Sequence, residues 1–188
     1  MAKNYYYFVA TLPSLAYGEA PPCSVEEFTA EALGHLGKRD AALLKLCTYE
    51  PQVVTEATAP TGSRYLDFFL LRERTLVLTL AHLRADKLGR HALPDHYRDM
   101  PRTGAVAKNA FEMEDPLEAT RYIDQSRWGF LDDIFRLDHL FGATTVFDYL
   151  LRLQLMERKR RFDTAAGDER YKEVYDKILS EYNEVAHE

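Results

Sequence analysis

Six histidines and a handful of carboxylates are the residues with chemistry to offer. His82, His91 and His96 lie close in sequence, but a metal needs convergent donors held in place, and of the three only His82 falls on a strongly helix-periodic segment. His139 follows Asp138, and Asp132 lies seven residues earlier on roughly the same helical face. A carboxylate placed that way can orient an imidazole as a general base, although no nucleophile accompanies it. Glu184 and His187 show the Glu-x-x-His spacing of di-iron bundles once, where such a site needs it twice with two further glutamates. Cys23 and Cys47 lack the basic setting that makes a reactive thiolate, so both are read as structural. The chain carries no glycine-rich phosphate loop, no Gly-x-Ser-x-Gly and no paired-cysteine zinc motif. No catalytic, cofactor-binding or metal-ligating residue is therefore assigned. A small metal-dependent or acid/base enzyme built on His139, Asp132, Asp138 and His82 is one alternative to a docked part of a larger complex, and a free-standing adaptor that binds a partner helix along its apolar grooves is another.

The surface residues that stand out are the aromatic run Tyr5, Tyr6, Tyr7 and Phe8, and the basic run Arg158, Lys159, Arg160 and Arg161 that follows Glu157. Four positive groups within little more than one helical turn must point partly to solvent or to an acidic partner. The same cations also suit a helix C-terminus, where they favour the macrodipole. Arg72, Glu73, Arg74 and Arg84 read as solvated charge on a long helix.

The elements that must position these groups are helical. Ser24 and Glu27 form a capping-box pattern, so a helix is expected from Ser24 to about Gly37, burying Val25, Phe28, Ala32 and Leu36. A short helix opened by Asp40 carries Leu43, Leu44 and Leu46. Residues 51–62 contain Pro, Thr and Gly without sustained period and read as a linker. From Tyr65 to Leu88 apolar residues recur at helical intervals, and Gly89 supplies a stop. Residues 89–104 read as a second loop. Asp115-Pro116 starts a helix toward Trp128, Gly129 and Gly142 bracket another, and Thr144 or Thr145 caps the next. That last helix is apolar on so wide an arc that it must be covered on two sides. A final helix is expected from Asp168.

With 188 residues and 46% hydrophobic content the chain can bury a sizeable core. The fold class expected is an all-α multi-helix bundle, a single domain over 1–188 or two small lobes with a boundary in 51–64 or 89–104. A net charge of -6 argues against a general nucleic-acid binder. Two cysteines without a secretory leader pattern favour a reduced, cytoplasmic setting, and no apolar run reaches the roughly 20 residues of a membrane span.

The opening Tyr5-Tyr6-Tyr7-Phe8-Val9-Ala10-Thr11-Leu12-Pro13-Ser14-Leu15, with Pro21-Pro22 and Ser24-Val25-Glu26-Glu27-Phe28, resembles that of an uncharacterised bacterial family encoded beside the subunits of V/A-type rotary ATPases. The segment from Tyr149 to Asp163 with its basic run, and Gly167 after it, fit the same pattern. That family is in turn similar to a shortened C subunit (d in eukaryotes) of these ATPases, which joins the central stalk to the membrane ring. The resemblance implies an all-helical, non-catalytic subunit or assembly factor. Its partners would be other ATPase subunits of the central stalk and membrane ring, at the inner face of the membrane. It implies no cofactor.

Overall fold

A computed structural model of the chain describes residues 5–90, 100–135, 142–161 and 175. Among them the regular structure is entirely helical: α1 (Tyr6–Thr11), α2 (Val25–His35), α3 (Lys38–Leu44), α4 (Pro51–Glu56), α5 (Arg64–Lys87), α6 (Pro101–Glu112), α7 (Pro116–Phe135) and α8 (Ala143–Arg161). The protein is an all-α multi-helix bundle.

Two long helices organise it. α5 packs against α4, α6, α7 and α8, and α8 packs against α2, α5 and α7. From Val146 to Leu151 every residue of α8 is buried, as its wide apolar arc requires. Phe28 of α2 and Phe69 of α5 are almost fully enclosed, as are Leu131 of α7 and Phe147, Leu151 and Leu153 of α8. The α5–α6 contact is different in kind. α6 buries Thr103, Gly104, Ala107 and Ala110, small side chains that let the two backbones approach closely, while Thr75 and Thr79 of α5 return their hydroxyls to carbonyls one turn back.

Local chemistry sets the boundaries. Ser24 Oγ accepts from the Glu27 amide at 3.1 Å and Glu27 Oε2 accepts from the Ser24 amide at 2.9 Å, closing the box that starts α2. α5 ends in a Schellman turn: Gly89 adopts φ 65°, the Arg90 amide bonds to the Ala85 carbonyl, and the Gly89 amide bonds to that of Asp86. Asp115 Oδ1 accepts from the Leu117 amide at 2.8 Å, with Pro116 as the first residue of α7.

Three expectations change. The linker expected over 51–62 contains α4, opened by Pro51 at its first position and pinned to α5 by Arg74, which donates to the Val54 carbonyl at 3.2 Å and to that of Ala57. The core cluster draws residues from both sides of 51–64, from Tyr5 through Val54 to Tyr65 and onward. The loop expected over 89–104 yields at Pro101 to α6, because proline is well accommodated in a first turn and Gly104 serves as a packing surface. Gly129 does not separate two helices: α7 runs through it to Phe135, since an exposed glycine inside a well-packed helix costs only about 1 kcal/mol. Of the helix expected from Asp168 only Tyr175 is described, helical and exposed, and the end of the one bracketed by Gly142 lies outside the described residues.

Candidate docking surface and its buried ionic brace

Arg72 and Glu73, read from the sequence as solvated charge, are buried at the centre of the bundle, with Glu73 fully excluded from solvent. The reason is register. Glu73 falls on the stripe that also carries Leu66, Phe69, Leu70 and Leu76, so it faces α7. There Arg127 meets it through Nε and Nη2, at 3.1 and 2.8 Å from Oε2, and Arg72 Nη1 lies 2.6 Å from Oε1. Arg127 Nη1 turns to Asp124 at 2.9 Å, and the other oxygen of Asp124 pairs with Arg158 Nε at 3.0 Å. Arg72 Nη2 donates to Ser126 Oγ at 3.0 Å. Guanidinium faces lie over rings, Arg72 over Phe130 at 4.7 Å and Arg127 over Tyr49 at 4.6 Å, which encloses the charges in aromatic surface.

A second cluster ties α5, α7 and α8. Tyr65 donates to Asp148 Oδ1 at 2.9 Å, Arg152 Nε lies 2.6 Å from Asp148 Oδ2, and Arg152 Nη1 reaches Asp132 at 2.7 Å. The Arg152 guanidinium also sits over Trp128 at 4.8 Å. Four guanidiniums (Arg72, Arg127, Arg152, Arg158) thus meet four carboxylates (Glu73, Asp124, Asp132, Asp148), and the brace is neutral as a whole. Burial raises the Asp148 carboxyl above its ordinary range despite Arg152 and Tyr65. Burial likewise drives the phenols of Tyr49 and Tyr65 well above theirs, reinforced by the charges of Glu73 and Asp148 respectively. Buried charges are tolerated when each is paired and hydrogen-bonded, and here pairing fixes the mutual rotation of three helices.

The basic run at the end of α8 is divided by this arrangement. Arg158 is half-buried and belongs to the brace through Asp124. Glu157 turns to the N-terminus of α2, accepting from the Val25 amide at 2.7 Å, where a carboxylate favours the helix dipole. Lys159, Arg160 and Arg161 remain exposed. Lys159 lies over the Tyr17 ring at 4.8 Å, and Arg161 reaches Glu157 only at 3.9 Å.

The aromatic run divides too. Tyr5 is buried, donating to Asp40 at 2.5 Å and accepting from the Gly37 amide at 3.1 Å, and Phe8 stacks between Phe28 and His35. Tyr6 and Tyr7 face solvent. The contact candidates Tyr5, Tyr6, Tyr7, Phe8, Arg158, Lys159, Arg160 and Arg161 therefore supply five exposed positions: Tyr6, Tyr7, Lys159, Arg160 and Arg161.

Next to Lys159 and Arg160 lies a cleft of about 490 Å³ between the Tyr17–Ala20 loop and the outer faces of α7 and α8. Neither periodicity nor motif singles out its residues Tyr17 and Arg121. The phenol of Tyr17 is raised by burial and by Asp124, against the pull of Arg121.

Of the groups proposed for catalysis, Asp132 is held by Arg152 and His82 sits half-buried on α5. Asp138, His139, His91, His96, Glu184 and His187 lie outside the described residues. Among the described residues no group of three or more His, Cys, Asp or Glu side chains is arranged to hold a metal. Cys23 and Cys47 are free thiols, and burial raises both above the usual thiol range. No helix among the described residues is long and apolar enough to cross a membrane.

A family model described as a protein of unknown function, DUF2764, matches residues 92–182, a span that contains α6, α7, α8 and the basic run. No curated protein and no solved structure matches the chain.

Proposed function

We propose that the chain is a non-catalytic subunit or assembly factor of a V/A-type rotary ATPase, similar to its C (d) subunit, that helps couple or assemble the central stalk at the membrane ring. The observation that carries this reading is the contrast within α8: a body enclosed by α2, α5 and α7 and cross-linked by ion pairs, ending in three exposed cations. A helix held this firmly presents its last turn at a fixed position and angle, which is what a part that transmits or templates shape requires. The resemblance of the Tyr5–Phe28 and Tyr149–Asp163 segments to proteins encoded beside ATPase subunits is the ground for proposing that complex.

The test is affinity capture from native membranes at gentle salt. ATPase subunits are expected with the wild-type chain, and recovery should fall when Arg160 and Arg161 are both changed to Glu. Arg158 is left intact, because reversing its charge would set a carboxylate against Asp124 and confound docking with folding. Recovery of the chain without any ATPase subunit would count against the proposal.

A further inference from the structure

The cleft beside the basic turn has a composition that selects a ligand. Its loop wall, Tyr17 to Ala20, faces a second wall made by Thr120, Arg121 and Asp124 of α7 with Met156, Lys159 and Arg160 of α8. The volume of about 490 Å³ lies in the range that encloses a small ligand or a few side chains. Three cations line it, against two carboxylates. One of those, Asp124, already spends both oxygens on Arg127 and Arg158, so Glu19 alone remains to offset Arg121, Lys159 and Arg160. Neither Arg121 nor Arg160 forms an ion pair within the described residues. A local positive excess of this kind, in a chain of net charge -6, is an electrostatic feature opposite in sign to the whole. Shape is kept open by the loop itself: Gly18 adopts φ 105°, and a Cβ there would stand 3.0 Å from Lys159 Nζ, so glycine leaves the ammonium its room.

We propose that this cleft is the receptor for an acidic peptide segment of the partner protein, with carboxylates against Arg121, Lys159 and Arg160 and the peptide's apolar stems against Tyr17 and Ala20. The inference rests on the docking reading above and names the chemistry of the docked segment. An acidic peptide fits better than nucleic acid: the cations are few, Lys159 and Arg160 at the end of α8 and Arg121 on α7 meet around one cleft rather than along a track, and a carboxylate shares the wall. A peptide also uses the apolar part of the lining, which a free phosphate leaves unfilled.

The protein carries its own reporter. Trp128 is its one tryptophan, and Tyr17 lies against it with ring centroids 5.3 Å apart. Titration of the full chain with a hexaglutamate peptide at low salt should therefore change Trp128 emission saturably, with the effect fading as salt rises. Arg121→Glu should weaken binding at least about tenfold, and Arg160→Glu should act as a second, independent variant of the same wall. Arg161→Glu, outside the cleft, should stay within about twofold of wild type. Circular dichroism should be unchanged in all three. Absence of a saturable change, equal weakening by Arg161→Glu and Arg121→Glu, or displacement of the peptide by equimolar inorganic phosphate or oligothymidylate would each overturn the assignment. The two proposals fail separately. Capture of ATPase subunits by a chain that ignores hexaglutamate removes the cleft and leaves docking. Hexaglutamate binding without any ATPase subunit captured removes the ATPase reading and leaves an acid-binding cleft.

Discussion

Arginines at the middle of the bundle and arginines at the end of α8 do opposite work. Arg72, Arg127 and Arg152 are enclosed, each with a carboxylate within 3 Å and an aromatic ring beneath it. Arg160 and Arg161, on the same helix as Arg152, stand in solvent. Identical side chains thus hold the body rigid in one place and present charge in the other. What separates them is whether the helical stripe that carries each one has a helix packed over it. Arg158 is the hinge of the comparison, drawn inward by Asp124 while its neighbours remain outside.

The largest way to break that contrast is at Glu73. Changing Glu73 to Ala leaves the charges of Arg72 and Arg127 buried without their carboxylate, and urea unfolding followed by circular dichroism should show a loss of about 3–5 kcal/mol. Replacing Arg72, Glu73 and Arg127 together by Met, Leu and Met should recover part of that loss, because no guanidinium is then buried without its carboxylate and Asp124 keeps Arg158 as its ion-pair partner. A loss below about 1 kcal/mol for Glu73→Ala would mean that the brace contributes little.

A smaller effect is expected at Tyr65, whose hydroxyl donates to the buried Asp148. Tyr65→Phe should cost about 2 kcal/mol in the same measurement, the usual value for a bond to a charged group. Alkali probes the interior from another side. Tyr49 and Tyr65 hold their protons far above the ordinary phenol value of 10.0, so above that pH the unfolded chain releases protons that the folded chain retains. Stability is thus fully present below pH 10 and falls as pH rises, by about 1.4 kcal/mol per pH unit for each such phenol. Tyrosinate absorbance from these two rings should appear only together with loss of helicity.

The smallest effect belongs to the end of α8. Arg160→Glu with Arg161→Glu should move the unfolding midpoint by no more than the equivalent of about 0.5 kcal/mol, as surface changes do, while altering capture of partners. A stability loss comparable to that of Glu73→Ala would erase the distinction between the two regions.

Much of the scaffold was legible before any coordinates. The capping box at Ser24 and Glu27, the stop at Gly89, the start at Asp115-Pro116 and the double coverage of α8 each follow from a local rule that the structure obeys. α4 and α6 were missed because their signals are tertiary. α4 is a six-residue helix held by Arg74 of α5, and α6 opens on a proline and shows α5 a face of Thr, Gly and Ala, residue types that read as loop when taken one by one. The brace was missed for a different reason. Residue type alone sends charged side chains to solvent, although Asp124 and Arg127 share a stripe with Leu131 and Ile134, and Asp148 shares one with Leu151 and Leu155. Charges set in an apolar stripe at matching positions on neighbouring helices are the sequence signal that finds such a network. Residue type marks Tyr5 to Phe8 and Arg158 to Arg161 as outward candidates, but Tyr5 donates to Asp40, Phe8 stacks on Phe28 and Arg158 pairs with Asp124, and only packing reveals that. Tyr17 and Arg121 come together through tertiary folding alone, and no spacing announces them.

The most direct test of the account is photo-crosslinking in native membranes from a benzoylphenylalanine placed at position 160, with position 125, exposed on α7, as reference. A crosslink from position 160 to an ATPase subunit is expected, mapping to an acidic stretch of that subunit and exceeding any from position 125. Crosslinks that are absent, that are equal from the two positions, or that reach only proteins outside the ATPase would contradict it.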